Sequence, residues 1–95
     1  MSEDRAARLA RKLRERLDAV HVEVVDESHL HAGHAGARGG AGHFRALVVS
    51  ARFHGLAPLA AQRLVYEALA EEMGPEIHAL SIRTLTPERW TPAGG

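Results

Sequence analysis

The sequence predicts a single α+β domain in which two helices pack on one face of a three-stranded mixed sheet, as a two-layer sandwich. Its 95 residues leave no room for two domains of ordinary size. Apolar residues recur at helical spacing near the start and again past the middle, and three short stretches are rich in β-branched residues. The predicted order is therefore α-β-β-α-β, with the folded core over about residues 5–90 and a frayed tail over 91–95.

The first helix is predicted over residues 3–20, with Ser2 as its N-cap. Its buried stripe is formed by apolar residues at helical spacing: Ala6, Leu9, Leu13, Leu17 and Val20. A second stripe beside it is basic: Arg5, Arg8, Lys12 and Arg16. Helical spacing alone leaves open whether this basic stripe is a solvated face or a ridge that faces an anion.

Charge is unevenly distributed along the chain. Residues 1–16 carry six basic and three acidic side chains, while the remainder carries six basic and nine acidic ones, so the formal net charge is zero. A neutral total argues against a dedicated, high-affinity nucleic-acid binder, although a local basic face is compatible with it.

Two strands and a long connection follow the first helix. Residues 21–27 predict strand one, and residues 43–50 predict strand two, with Phe44, Ala46 and Val48 on one face. We expect these two strands to pair antiparallel. The connection, residues 28–42, contains five glycines, and we expect residues 29–42 to be the least ordered internal segment.

The second half of the chain predicts a helix between two strands. The chain turns at Gly55, and Pro58 fits the first turn of a helix that ends at Gly74. Residues 76–84 predict strand three, which a crossover through this helix would place parallel to strand two. Residues 86–90 predict a cap and one final turn.

Composition excludes several classes of protein. The chain has no cysteine, which removes disulfides, thiolate nucleophiles and all-cysteine metal sites built from this chain alone. Its apolar runs are too short for a membrane span, and its charged N-terminus lacks a signal-peptide core. We therefore expect a cytoplasmic protein that does not associate with a membrane.

Histidine carries the clearest chemical signal, since four of the seven histidines fall within fifteen positions. His29, His31 and His34 lie in the glycine-rich connection, and their spacing leaves three readings open: a solvated loop, a metal site completed by a partner, or a self-contained zinc site. His43 reads as a hydrogen-bonded structural histidine. His78, at the start of strand three, reads as a surface residue or a metal ligand.

An ordered set of motifs resembles the BolA family over roughly residues 5–90. The matching segments are Asp26-Glu27-Ser28, His31, His43-Phe44, Val48-Val49-Ser50, Phe53-x-Gly55, Tyr66, Leu69-Ala70-Glu71-Glu72, Ile77-His78-Ala79-Leu80 and Thr86-Pro87-Glu88-Arg89-Trp90. The resemblance implies a KH-like fold of the second type, in agreement with the element order read above.

The resemblance also implies a non-enzymatic role in iron–sulfur chemistry. BolA-like proteins pair with a monothiol glutaredoxin and share a [2Fe–2S] cluster, to which the glutaredoxin cysteine and glutathione contribute sulfur. By position in the motifs, His78 corresponds to one ligand and His31 to a second, with His34 in reserve. No cofactor is then expected to bind this chain tightly on its own, and the free chain is expected to be a monomer.

A second implication is DNA binding and transcriptional control of stress response and cell morphology. Many relatives carry Arg-His-Arg ahead of the Tyr66 position, where this chain has Ala61-Gln62-Arg63. Losing a cation weakens the expected phosphate contacts, although the first-helix stripe could compensate. The sequence therefore predicts weak, salt-dependent DNA binding through basic side chains of both helices: Arg5, Arg8, Lys12, Arg16 and Arg63.

Overall fold

The computed structural model describes residues 4–28 and 40–90, which fold into two helices and one three-stranded sheet. The elements follow in the order α1 (Arg5–Leu17), β1 (His21–Asp26), β2 (Gly42–Val49), α2 (Pro58–Ala68) and β3 (Ile77–Leu85). β2 lies in the centre of the sheet, antiparallel to β1 and parallel to β3. The predicted α-β-β-α-β fold with a mixed sheet is confirmed.

Both helices bury their apolar stripes against the same face of the sheet. The predicted face of β2 is confirmed, because Phe44, Ala46 and Val48 are all buried. The helices contribute residues at helical spacing: Leu9, Leu13 and Leu17 from α1, and Ala61, Val65 and Ala68 from α2.

Both predicted ends of α1 are wrong. Asp4 is the N-cap, since its side chain accepts a hydrogen bond from the Ala7 backbone N–H at 2.7 Å. The helix ends at Leu17 because Asp18 adopts the left-handed conformation, with φ 48°, which aspartate tolerates better than most residues. Val20 therefore leaves the buried stripe: it is 59% exposed, and its backbone N–H donates to the Val49 carbonyl at 2.9 Å.

The observed bounds of the strands differ from the predicted ones by one residue, whereas the end of α2 differs by more. β1 ends one residue early, β2 begins one residue early at Gly42, and β3 lies one residue later than predicted. α2 stops at Ala68 rather than Gly74, and the chain continues through turns to Gly74, whose φ is 98°. Buried Leu69 accepts hydrogen bonds from two residues of these turns, which holds them against the core.

The corner that joins α1, β2 and the following turn is tied by Ser50, which is fully buried. Its hydroxyl donates to the Leu17 carbonyl at 2.6 Å and accepts from the Arg52 backbone N–H at 3.1 Å. A turn after β3 then brings Trp90 onto the His21 ring, with ring centroids 4.6 Å apart. The tail over 91–95 lies outside the described residues.

Candidate functional site

Two histidines meet where β2 and β3 begin. In the parallel ladder, Gly42 pairs with Ile77, but His43 pairs with Ala79, so His78 is an extra residue on β3. Such a bulge re-aims the side chains next to it. The ring centroids of His43 and His78 lie 5.2 Å apart, with the rings tilted by 52°, and His78 is exposed. The bulge thus creates a pair of neighbouring imidazoles at the end of the sheet where β2 and β3 begin.

The start of the β1–β2 connection is fastened directly to this pair. The Ser28 hydroxyl accepts a hydrogen bond from the His43 backbone N–H at 3.1 Å, and the Ser28 N–H donates to the Asp26 carboxylate at 2.9 Å. Gly42 is required by this contact, because a Cβ there would lie 2.3 Å from the Ser28 hydroxyl oxygen. Ser28 is therefore a structural link between the connection and His43.

The other end of the connection is fastened by Arg5. Its Nη1 donates to the Gly40 carbonyl at 2.6 Å and to the Glu76 carbonyl at 3.3 Å. The Glu76 carbonyl also accepts from the Gly42 backbone N–H at 3.0 Å. Gly40, with φ 85°, and Glu76 lead into β2 and β3 respectively, so one guanidinium spans the entries to both histidine-bearing strands.

The rest of the basic stripe of α1 faces carboxylates of the same chain. Arg8 pairs with Glu76 at 2.5 Å, Lys12 with Glu72 at 2.8 Å, and Arg16 with Glu71 at 3.7 Å. The Lys12–Glu72 pair is the least exposed of these. The stripe is therefore neither a plain solvated face nor an open anion-binding ridge, because it pairs with the acidic segment that precedes β3.

The pKa of Glu76 is lowered from its ordinary value of 4.5. The main cause is the hydrogen bond from Arg8. Burial, the next largest effect, raises the pKa, and the positive charges of Arg8, Arg5 and Lys12 each lower it. Glu76 is thus held ionised beside the stripe at neutral pH. The acidic cluster at residues 71, 72 and 76 is the sequence signal that could have predicted this pairing.

The structure describes some of the predicted site residues and not others. His78 is exposed at the start of β3, and Arg63 is exposed on α2. His31 and His34 lie outside the described residues, as does His29. Sequence reasoning gave His43 only a structural role, because its proximity to His78 depends on strand register, which the sequence pattern does not specify.

The histidine pair can contribute nitrogen ligands but not a complete metal site. Among residues 4–28 and 40–90, no group of three or more histidine, aspartate or glutamate side chains is arranged to hold a metal ion. The chain also has no cysteine to supply thiolate. Imidazole nitrogen suits iron, zinc, copper and nickel, so the pair fits a metal centre whose remaining ligands come from elsewhere.

Within the described ranges, neither helix has the length and apolar character that crossing a bilayer requires. The cytoplasmic location remains a prediction.

Comparisons with known proteins agree on one family. The family described as BolA-like protein matches residues 13–89. The human protein named BolA-like protein 1 is 48% identical over 84 residues, which cover 88% of this chain and 59% of that protein. A protein from Vibrio cholerae, named DNA-binding transcriptional regulator BolA, is 40% identical over 82 residues, which cover 86% of this chain and 74% of its own length.

A solved structure shows the same architecture. BolA1 from Arabidopsis thaliana superposes with a TM-score of 0.80 at 39% identity, covering 96% of this chain and all of that one. The fold is therefore that of its relatives, while this chain spans little more than half the length of the human protein it matches.

Proposed function

Because this chain belongs to the BolA family, we propose that it is a non-enzymatic partner protein that shares a [2Fe–2S] cluster with a monothiol glutaredoxin. The cluster is cargo for assembly, transfer or iron sensing. Glutaredoxin and glutathione contribute sulfur ligands, and His78 contributes an imidazole. The observation that carries the proposal is the exposed His78 beside His43 at the start of β3.

Imidazole ligation gives such a complex distinct properties. Replacing thiolate by imidazole raises the reduction potential of a [2Fe–2S] centre, as in Rieske proteins. A ligating imidazole must also be neutral, so acidification competes with iron for the nitrogen. A cluster held partly by this chain should therefore be released faster in acid than one held by thiolates alone, which suits transfer or sensing.

The second imidazole has two sources in this chain. His31, with His34 in reserve, belongs to residues 29–39, whose flanking residues Ser28 and Gly40 are fastened next to His43 and β3. His43 is the other source, because its ring already lies 5.2 Å from that of His78.

The proposal is tested by mixing the purified chain with a monothiol glutaredoxin loaded with a [2Fe–2S] cluster and glutathione. For the unaltered chain we expect a visible spectrum that differs from that of glutaredoxin alone, and nitrogen hyperfine coupling in the reduced cluster. His78→Ala should abolish the nitrogen coupling, and the cluster should become labile or revert to the glutaredoxin-only form. His31→Ala, the double variant His31→Ala/His34→Ala, and His43→Ala then identify the second ligand.

A matched control is His54→Ala, which removes an exposed histidine that pairs with Glu88. It should leave the spectrum of the complex unchanged. Because His78 is exposed, His78→Ala should change the free energy of unfolding by no more than about 1 kcal/mol. An unaltered spectrum with His78→Ala, in a chain that remains folded by circular dichroism, would refute the proposal.

A second candidate function is DNA binding, which the name of the Vibrio cholerae relative favours. The ion pairs along α1 work against it, because phosphates would have to displace the carboxylates of Glu71, Glu72 and Glu76. We therefore expect weak binding with little sequence preference and a steep salt dependence. Tight binding to one duplex that persists at about 200 mM salt would favour the regulator instead.

A further inference from the structure

We propose that Arg5 is a positioning residue for the histidine site. Its guanidinium joins the carbonyl of Gly40, two residues before β2, to the carbonyl of Glu76, one residue before β3. His43 and His78 are each the second residue of their strands. Arg5 therefore fixes the relative position of the two chain segments from which the paired imidazoles project.

The contacts separate this role from that of Arg8. Arg8 binds the side-chain carboxylate of Glu76, whereas the hydrogen bonds of Arg5 go to main-chain carbonyls. Arg5 also lies 3.8 Å from that carboxylate through its Nε, which keeps the guanidinium oriented toward β3. Main-chain attachment acts directly on strand position, while a long side chain such as that of Glu76 can move without moving its backbone.

Removing this guanidinium should alter the site without unfolding the domain. The Glu76 carbonyl keeps its hydrogen bond from the Gly42 N–H at 3.0 Å, so the entry of β3 remains attached to β2. The Gly40 carbonyl is exposed and can bind water instead. The expected change is a looser spacing of the bulge that carries His78, at the point where the ladder register already shifts.

The consequence for metal chemistry rests on the function proposed above. Residues that orient a ligand typically contribute 10- to 100-fold to metal affinity. Because Arg5 acts through the backbone and not on a ring nitrogen, we expect an effect near the lower limit. The cluster should leave the glutaredoxin complex about 10-fold faster when Arg5 is replaced by glutamine.

The experiment compares three variants of the full chain: Arg5→Gln, Arg5→Lys and the control Arg16→Gln. Arg16 lies on the same helix and pairs with Glu71, five residues before the Glu76 carbonyl that Arg5 holds, so its loss tests the effect of removing charge alone. Ring-to-ring contacts of His43 and His78 are measured by NMR in the free chain. Cluster release and nitrogen hyperfine coupling are measured in the glutaredoxin complex.

The proposal expects Arg5→Gln to weaken the ring contacts, broaden or diminish the nitrogen coupling, and accelerate release, while Arg16→Gln changes none of these. Arg5→Lys should keep part of the ring contacts and of the nitrogen coupling, because one ammonium group can reach a carbonyl but lacks the planar fork of arginine. Unchanged release with Arg5→Gln, or an equal effect of Arg16→Gln, would overturn it.

Failure of the underlying function is recognised separately. If the unaltered complex shows no nitrogen-coupled cluster, the proposed function fails while the free-chain NMR still decides the role of Arg5. Loss of ring contacts in Arg5→Gln alone would then support the positioning role, and retained contacts would refute it.

Discussion

Replacing Gly42 by alanine should break the link that holds His43 to the start of the β1–β2 connection. The new Cβ would lie 2.3 Å from the Ser28 hydroxyl oxygen and 3.0 Å from a ring carbon of Phe44. Rotating the Ser28 side chain removes the first clash, but it also breaks the hydrogen bond from the His43 N–H. Phe44 is 1% exposed, so its ring cannot move away easily.

The magnitude follows from these two contacts. Leaving a partly buried N–H without its acceptor costs about 1–3 kcal/mol. Crowding a packed aromatic ring adds a cost toward the lower end of the about 1–3 kcal/mol that is typical of overpacking. We therefore expect Gly42→Ala to lower the free energy of unfolding by about 2–4 kcal/mol.

A thermodynamic cycle in urea isolates the contact between these two positions. Ser28→Ala should cost about 1–3 kcal/mol through the lost hydrogen bond, and the double variant should cost clearly less than the sum of the single ones, because the clash and the bond involve the same oxygen atom. Additive free energies, or a loss below about 0.5 kcal/mol for Gly42→Ala, would refute the reasoning.

Three further predictions concern contacts away from the histidines. Ser50→Ala should lower the free energy of unfolding by about 1–3 kcal/mol in urea denaturation, because it leaves the buried carbonyl at the end of α1 without its donor; Ser50→Thr, which keeps the hydroxyl, should show whether that bond is responsible. Because the pKa of Glu76 is lowered in the folded chain, its ion pairs stabilise the fold above the unfolded-state pKa near 4.5, and this stability is lost as the pH falls through the folded-state pKa. The difference in denaturation midpoint between the unaltered chain and Glu76→Gln should therefore be constant near neutrality and shrink below about pH 4.5. A constant difference down to about pH 3 would contradict this. Trp90→Leu should lower the free energy of unfolding by about 0.5–1.5 kcal/mol more than the lost burial alone, because it removes the ring stack on His21. A double-mutant cycle with His21→Leu that shows no coupling energy would exclude a contribution from that stack.

The elements of the fold could be predicted because their signals are local. Leucines at every fourth position specify the buried side of α1, and alternation at Phe44, Ala46 and Val48 specifies the buried side of β2. The end of α1 could not be predicted in this way. It depends on one left-handed backbone conformation at Asp18, which hydrophobic periodicity does not report.

The candidate site was predicted only in part because its geometry is not local. His78 could be identified by its motif, but its neighbour His43 lies 35 positions earlier and reaches it only through the parallel pairing of β2 with β3 and a one-residue register shift. No count of spacing along the chain reports such a shift. The contact of Ser28 is likewise not local, because its hydroxyl accepts a hydrogen bond from the backbone N–H of His43, 15 positions further along the chain.

The basic stripe of α1 connects the two candidate functions. Arg5 and Arg8, expected from sequence to contact DNA, hold the backbone and the side chain of Glu76 at the entry to the histidine-bearing strand β3. A phosphate that recruited them would exchange one ionic contact for another, so the net gain in binding energy would be small. The same exchange would remove the hydrogen bonds by which Arg5 is proposed to position His78. DNA binding through this stripe and imidazole ligation at β3 therefore both draw on Arg5, and strengthening one should weaken the other.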